Sequence, residues 1–360
     1  MSKRIGVLTA GGDCPGLNAV IRAVAKAGFG LNWEVLGFQD GFAGLVEERY
    51  MVLRNPEVSG ILAQGGTILG TSNTADPFRY PVQKGRKIIF RNYSQKVIHC
   101  VRKLNLDALV CIGGDGTLTI AERFLRRGVP IIGIPKTIDN DLSGTDFTFG
   151  FDTAVHIATD AVDRLHTTAA SHHRVMILEV MGRYAGWIAL YAGAAGGADV
   201  ILIPEIPYRM ESICRHVRAR AHFGKRFSII VVAEGARPLG GKRIVERYVK
   251  TSSDPIRLGG ISRVVGRHIE KITGLETRVS ILGHIQRGGT PTADDRNLGT
   301  LFGHQAVKLI QSCRIGYMAA FQNGKITAVP IRSAIRKLKL VPKNHLLLLA
   351  AQAVGTSFGN

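Results

Sequence analysis

The sequence predicts two doubly wound α/β/α units with mainly parallel sheets, and three observations carry that prediction. Short β-branched apolar runs recur without alternation: RIGVLT, DALVCIGG, PIIGIPK, RVMILEVMGR, ADVILIPE, FSIIVVAEG and TRVSILGHIQRGG. Unbroken runs of this kind fit strands buried on both faces of a parallel sheet. Helical patterns lie between them, and βαβ alternation is the signature of such layers. Polar clusters then follow the runs at one end: GGD, GGDGT, KTIDND, MGR, Glu234 and HIQR. Ligands in this architecture bind outside the carboxyl ends of the strands, so repeated clusters there point to one composite site.

The elements follow in order. RIGVLT leads through a glycine turn into a helical pattern from Gly16 to Phe29. DALVCI leads through GGDGT into the helix-like LTIAERFLRRG, and a second long helical pattern, Asp152 to Thr168, precedes RVMILEV. With 360 residues, the chain has the length of two domains or one large α/β unit. The break is expected near Phe149, with the chain recrossing after His284. That gives one domain of residues 1–149 plus about 285–335, and another of 150–284 plus about 336–360.

Composition narrows the function classes. Hydrophobic content of 45% with 21% charged residues fits a soluble globular chain. Lys+Arg 47 against Asp+Glu 27 gives a formal net charge of +20, which suits an anionic partner such as a phosphorylated metabolite, a nucleotide or nucleic acid. No lysine-arginine block interleaved with aromatics and no zinc-finger or RRM motif is present, so nucleic acid is the weaker candidate. From Gly299 to Asn360 no acidic residue occurs, and this basic tail reads as a surface feature. Five cysteines, odd in number and without CxxC spacing, fit neither a disulfide framework nor zinc. The start lacks a signal-peptide apolar region, and LLLLAAQAV is too short to span a bilayer. The expectation is a soluble cytoplasmic protein with no membrane partner.

The clusters then suggest chemistry. AGGDCPGLNA, with Gly11, Gly12 and Gly16, would offer backbone amides and a helix N-terminus to an anion, although a plain tight turn would read the same way. In GGDGT, Gly114 and Gly116 would let the backbone approach a phosphate, Thr117 opens a helix, and Asp115 would hold a divalent cation. In KTIDND, Asp139 is placed to take a proton from a hydroxyl, and Asp141 to orient a metal or its waters. Thr137 and Asn140 can bond a sugar. Arg174, Arg183, Arg278, His284 and Arg287 are cationic groups near strand starts or ends, suited to a phosphosugar. Glu234 would bind a sugar hydroxyl or, more plainly, cap a helix.

Taken together these clusters resemble the 6-phosphofructokinase family, in order from Ile5 to about Arg296, through LTAGGDCPGLNA, GGDGT, TIDND, SHHR, EVMGRYAGW, AEGA, ETR and LGHIQRGG. The resemblance implies transfer of the terminal phosphoryl of ATP to the 1-hydroxyl of fructose 6-phosphate, with Mg2+, in a homotetramer. It makes the first domain the donor-phosphate domain and the second the sugar-phosphate domain. By motif, Gly12, Gly114, Asp115, Gly116 and Thr117 would hold the donor, with Asp115 on magnesium. Asp139 would be the general base, with Lys136 and Arg183 stabilising charge. Thr137, Ile138, Met181, Gly182, Arg183, Glu234, His284, Ile285, Gln286 and Arg287 would line the sugar site, and Arg174 and Arg278 would reach in from a neighbouring subunit.

Departures from the ATP-dependent pattern set an alternative. Asn73 stands where an arginine is usual, and Lys136 occurs in pyrophosphate-using relatives. Gly116, where those relatives carry an aspartate, favours ATP. Lys136 is expected to replace the missing cation and to keep both Asp139 and Asp141 ionised. At the nucleotide effector site Arg22, Lys26, Asp199, Lys225 and Arg226 fit the charges, while His166 replaces an arginine.

Overall fold

The computed structural model describes residues 2–251 and 255–360. Seven strands form the larger sheet, in the order Lys325–Pro330, Tyr317–Gln322, Ile131–Pro135, Ala108–Gly113, Arg4–Thr9, Glu34–Phe38 and Tyr50–Leu53. The five inner strands run parallel, and the outermost on each side is antiparallel. The smaller sheet, in the order Thr277–Ile281, Val175–Val180, Ser228–Ala233 and Val200–Leu202, is wholly parallel. The doubly wound α/β fold expected from the apolar runs is borne out. Ala108–Gly113, Ile131–Pro135, Val175–Val180 and Ser228–Ala233 are buried along their whole lengths, which is why their sequences do not alternate.

Some strands escaped the sequence reading. Glu34–Phe38 is short and interrupted by Gly37, and Tyr317–Gln322 contains two alanines, weak strand formers. Both are strands because they lie against longer neighbours in the sheet.

Two helices bring the units together. Ala293–Gln311 lies along Leu17–Phe29, and Gly303 permits the close approach: a Cβ there would lie 2.7 Å from the Cβ of Ala23. Asp295 on the former accepts hydrogen bonds from the backbone of Gly150 (2.7 Å) and Thr153 (2.8 Å), fixing the N-terminus of the long helix Phe151–His172. A carboxylate there satisfies otherwise unpaired amides and opposes the positive end of the helix dipole. One apolar core runs from Val7 and Ile132 through Ala154 and Ala158 of that helix to Leu178 and Val231, so both sheets rest on one helix.

The basic tail is not a surface appendage. Val341, Leu348, Ala351 and Phe358 are buried, Leu338 bridges Leu142 and Ser357 bridges Val200. The apolar residues between the lysines carry this packing. Counting charge alone hid it.

Candidate active site

The strand Arg4–Thr9 ends in Gly11 and Gly12. Gly11 donates to the carbonyl of Ser72 at 3.1 Å and accepts from Thr71 Oγ1 at 2.7 Å, which brings the segment carrying Asn73 beside this turn. Gly12 has no room for a side chain without displacing Arg287: a Cβ would lie 2.8 Å from its Nη1. The strand Ala108–Gly113 ends at Gly114, and Asp115, exposed, and Gly116 open the helix Asp115–Leu125. Thr117 is buried one residue on, with Oγ1 3.2 Å from where a Cβ of Gly11 would lie. Two separate glycine loops therefore meet.

Lys136 joins them. Its backbone N–H donates to Gly113 O at 3.0 Å, and its Nζ donates to the carbonyl of Gly12. It is only 4% exposed, and burial holds its pKa below the usual lysine value. The groups in its field are Cys14, Arg287, Asp13 and Asp139, and its ammonium is held at the first glycine loop.

Beyond it the chain turns through Asn140, at φ 49°, and places the carboxylates. Asp139 is 5% exposed, its N–H donates to Thr137 Oγ1 at 3.1 Å, and its Oδ1 is buried with no hydrogen-bond partner among the described residues. Asp141 is pushed up to about 7 by burial, then by the charges of Asp139 and Asp115, with Arg183 opposing. This corrects one expectation: Lys136 does not keep both aspartates ionised, because its head is directed to Gly12 and desolvation of Asp141 dominates. Ile138 is fully buried in the core, so only its backbone can face a substrate.

The smaller sheet supplies the opposite wall. After Val175–Val180, Met181 N–H donates to Gln286 Oε1 at 2.8 Å, and Arg183 N–H donates to Glu234 Oε1 at 3.0 Å. Gly182 and Arg183 both have positive φ, 138° and 50°, turning the strand end sharply. Glu234 is pushed up to about 7, mainly by burial and then by the charge of Asp139. The fields of Asp139, Asp141, Arg183 and Glu234 thus overlap across the cleft. The 3₁₀ turn Gly283–Arg287 exposes His284 and Ile285, while Gln286 is buried with Nε2 unpartnered among the described residues. Arg287 Nη1 donates to Asp13 O at 2.9 Å.

Arg174 and Arg278 lie elsewhere. Arg174 precedes the strand that Met181 follows, so seven residues at ~3.3 Å each put them roughly 20 Å apart. Both arginines pair with Glu276, Arg174 at 2.7 Å. Sequence reasoning missed Asp295 and Lys339. Asp295 stands in the first turn of the helix Ala293–Gln311 beside Asp294, where an acidic residue is ordinary, and Lys339 is one lysine among several in the tail.

Among the described residues, no three His, Cys, Asp or Glu side chains converge as a metal cage. Magnesium needs fewer, since it keeps several waters and takes one or two carboxylates beside substrate phosphates. Asp115 and Asp141, close enough for the charge of one to raise the other, fit that donor set.

Glycine loops shaped for phosphate, set against a bare buried carboxylate, place this chain among the α/β phosphotransferases. The model of the phosphofructokinase family matches residues 4–310, and the chain belongs to that family. The ATP-dependent 6-phosphofructokinase of Chloroflexus aurantiacus is 51% identical over 359 residues, 99% of this chain and 98% of that protein. The ATP-dependent 6-phosphofructokinase 2 of Clostridium perfringens is 50% identical over 361 residues, 99% of each. The phosphofructokinase structure from Saccharomyces cerevisiae aligns with a TM-score of 0.78 at 32% identity, over 93% of this chain and 45% of that one. The chain thus spans less than half of the yeast chain. A pyrophosphate-dependent phosphofructokinase from Nitrosospira multiformis, at 21% identity and TM-score 0.79 over 99% of this chain, shares the fold.

Proposed function

We propose that this chain transfers the terminal phosphoryl of ATP to the 1-hydroxyl of fructose 6-phosphate, giving ADP and fructose 1,6-bisphosphate, in the cytoplasm. The observation that carries the reading is Asp139 Oδ1, buried and unpartnered among the described residues. A buried carboxylate oxygen without a donor is costly unless a ligand supplies one, and a sugar hydroxyl is such a donor. Asp139 then takes the hydroxyl proton as the oxygen attacks phosphorus.

The donor phosphates lie over Gly12 and Gly114 to Thr117, where backbone amides and a helix N-terminus face them. Asp115 would hold magnesium, with Asp141 orienting its waters; the ion when bound neutralises phosphate charge. Lys136, with its ammonium on the donor loop, and Arg183 stabilise charge on the transferred group. Met181, Gly182, Arg183, Glu234, His284 and Arg287 surround the sugar, and the backbone from Thr137 to Asp139 closes its reactive side.

Arg174 and Arg278, far from their own cleft, complete a neighbour's sugar-phosphate site in a homo-oligomer, a tetramer by the family pattern. Their shared partner Glu276 holds the two guanidinium groups together where the edge strand Thr277–Ile281 and its neighbour Val175–Val180 begin. A coupled assay tests the whole reading: turnover should require fructose 6-phosphate and proceed faster with ATP than with pyrophosphate. Faster turnover with pyrophosphate would overturn the donor, and none with either would overturn the reaction.

A further inference from the structure

We infer that Lys339, in the C-terminal tail, is a positioning residue for the loop that carries Asp139. All three of its polar groups bind the site's two walls. Its Nζ donates to Asn140 Oδ1 at 2.8 Å, to Thr145 O at 3.0 Å and to Asp146 O at 2.7 Å. Its N–H donates to Asp141 O at 2.7 Å, and its carbonyl accepts from Trp187 Nε1 at 2.8 Å. Trp187 opens the helix after Met181–Arg183, so one residue links the Asp139 loop to the opposite wall.

Geometry explains why the loop needs such a tie. Asn140 takes a left-handed backbone conformation that a short polar residue holds when its side chain is bonded locally. Its Oδ1 accepts from Thr148 N–H at 3.1 Å as well as from Lys339, and Thr148 Oγ1 closes the ring on Thr137 O at 2.7 Å. With three acceptors the ammonium is fully coordinated, and the indole of Trp187 lies 5.4 Å from it. The neighbours of Lys339 extend this strap: Ser143 Oγ donates to Lys337 O at 2.8 Å, and Val341 N–H to Glu205 Oε1 at 2.9 Å. Glu205 also accepts from Gly186 N–H at 3.0 Å, so the strap is fastened again beside Trp187. Its direction of effect is on the carboxylate, because its hydrogen bonds run to the loop that carries Asp139 and to Trp187.

This inference rests on the proposed reaction for its kinetic reading, and hydrogen exchange gives an independent one. In Lys339→Met, turnover should fall about tenfold to a hundredfold, the scale of a catalytic group misplaced by an ångström. The Michaelis constants for ATP and fructose 6-phosphate should change less than about twofold, because the glycine loops and the Met181–Arg183, Glu234 and Arg287 wall are untouched. Backbone amides of residues 137–148 should exchange faster than in the unaltered protein. Trp187→Phe keeps the ring but removes the donor to Lys339, and should show the same split at smaller size. Lower thermal stability with unchanged turnover in either variant would reduce the strap to a structural one and overturn the inference. If Lys339→Met does not fold, Trp187→Phe decides. If the unaltered protein lacks turnover, the proposed reaction fails, and unchanged loop exchange in the variants would sink the inference separately.

Discussion

Glu234 accepts the backbone N–H of Arg183 at 3.0 Å, yet its carboxyl is pushed up to about 7. A bond from an amide favours the charged form, so burial and the charge of Asp139 outweigh it. The two strand ends of the smaller sheet are tied together at the point where they face the carboxylates of the larger one.

The first prediction follows from that raised value. An acid whose folded pKa exceeds its unfolded one, here about 7 against 4.5, binds more protons when folded, so its contribution to stability is present at low pH and lost as pH rises through that window. Glu234→Gln, which keeps the acceptor oxygen, should match the unaltered protein near pH 4.5 and exceed it above pH 7, by up to about 3 kcal/mol. Urea unfolding at several pH values measures the gap. A gap that does not widen with pH contradicts the assignment.

Asp139→Asn should retain fructose 6-phosphate binding and lose turnover by about a hundredfold or more, the usual scale for a lost general base. The amide still fills the pocket where Oδ1 lies without a partner among the described residues, so binding and chemistry separate. Calorimetry with the sugar phosphate and steady-state assays check the two parts, and near-normal turnover would remove Asp139 from its role.

Because Arg278 lies in register with Met176, a run of roughly 16 Å along the strand from Met181 at the cleft end, its loss should damage a neighbour's site. Arg278→Ala and Asp139→Asn should each be inactive alone. Mixed oligomers should regain some turnover, since sites lacking both defects then exist. Hybrids that form, as judged by native mass spectrometry, and stay inactive would argue for a site complete within one chain.

Lys136→Gly removes the ammonium bound to Gly12 O and should lower turnover with ATP about tenfold to a thousandfold, by analogy with lost transition-state donors. The Michaelis constant for ATP should change less. Asn73 lies next to Ser72, whose carbonyl accepts from Gly11 N–H at 3.1 Å, so Asn73→Arg in the same chain should restore part of the loss. Initial-rate kinetics on both variants decide, and no recovery would mean that the two positions do not share a charge role.

The strands of both sheets' centres were legible because burial on both faces forces unbroken apolar runs, and the glycine loops because close backbone approach excludes side chains. Asp139, Lys136 and Arg183 could be named from motif alone, since a strand end is the place where polar groups have no packing use. Tertiary structure decided the rest. The direction of Lys136 depends on Gly12, a residue 124 positions away, and the raised pKa values of Asp141 and Glu234 depend on how deeply the fold buries them. Lys339 looked like one more solvated lysine in a basic tail. Its role arises only when Asn140, Thr145 and Asp146 are folded around its ammonium, because charge is read from composition but a partner is set by long-range packing.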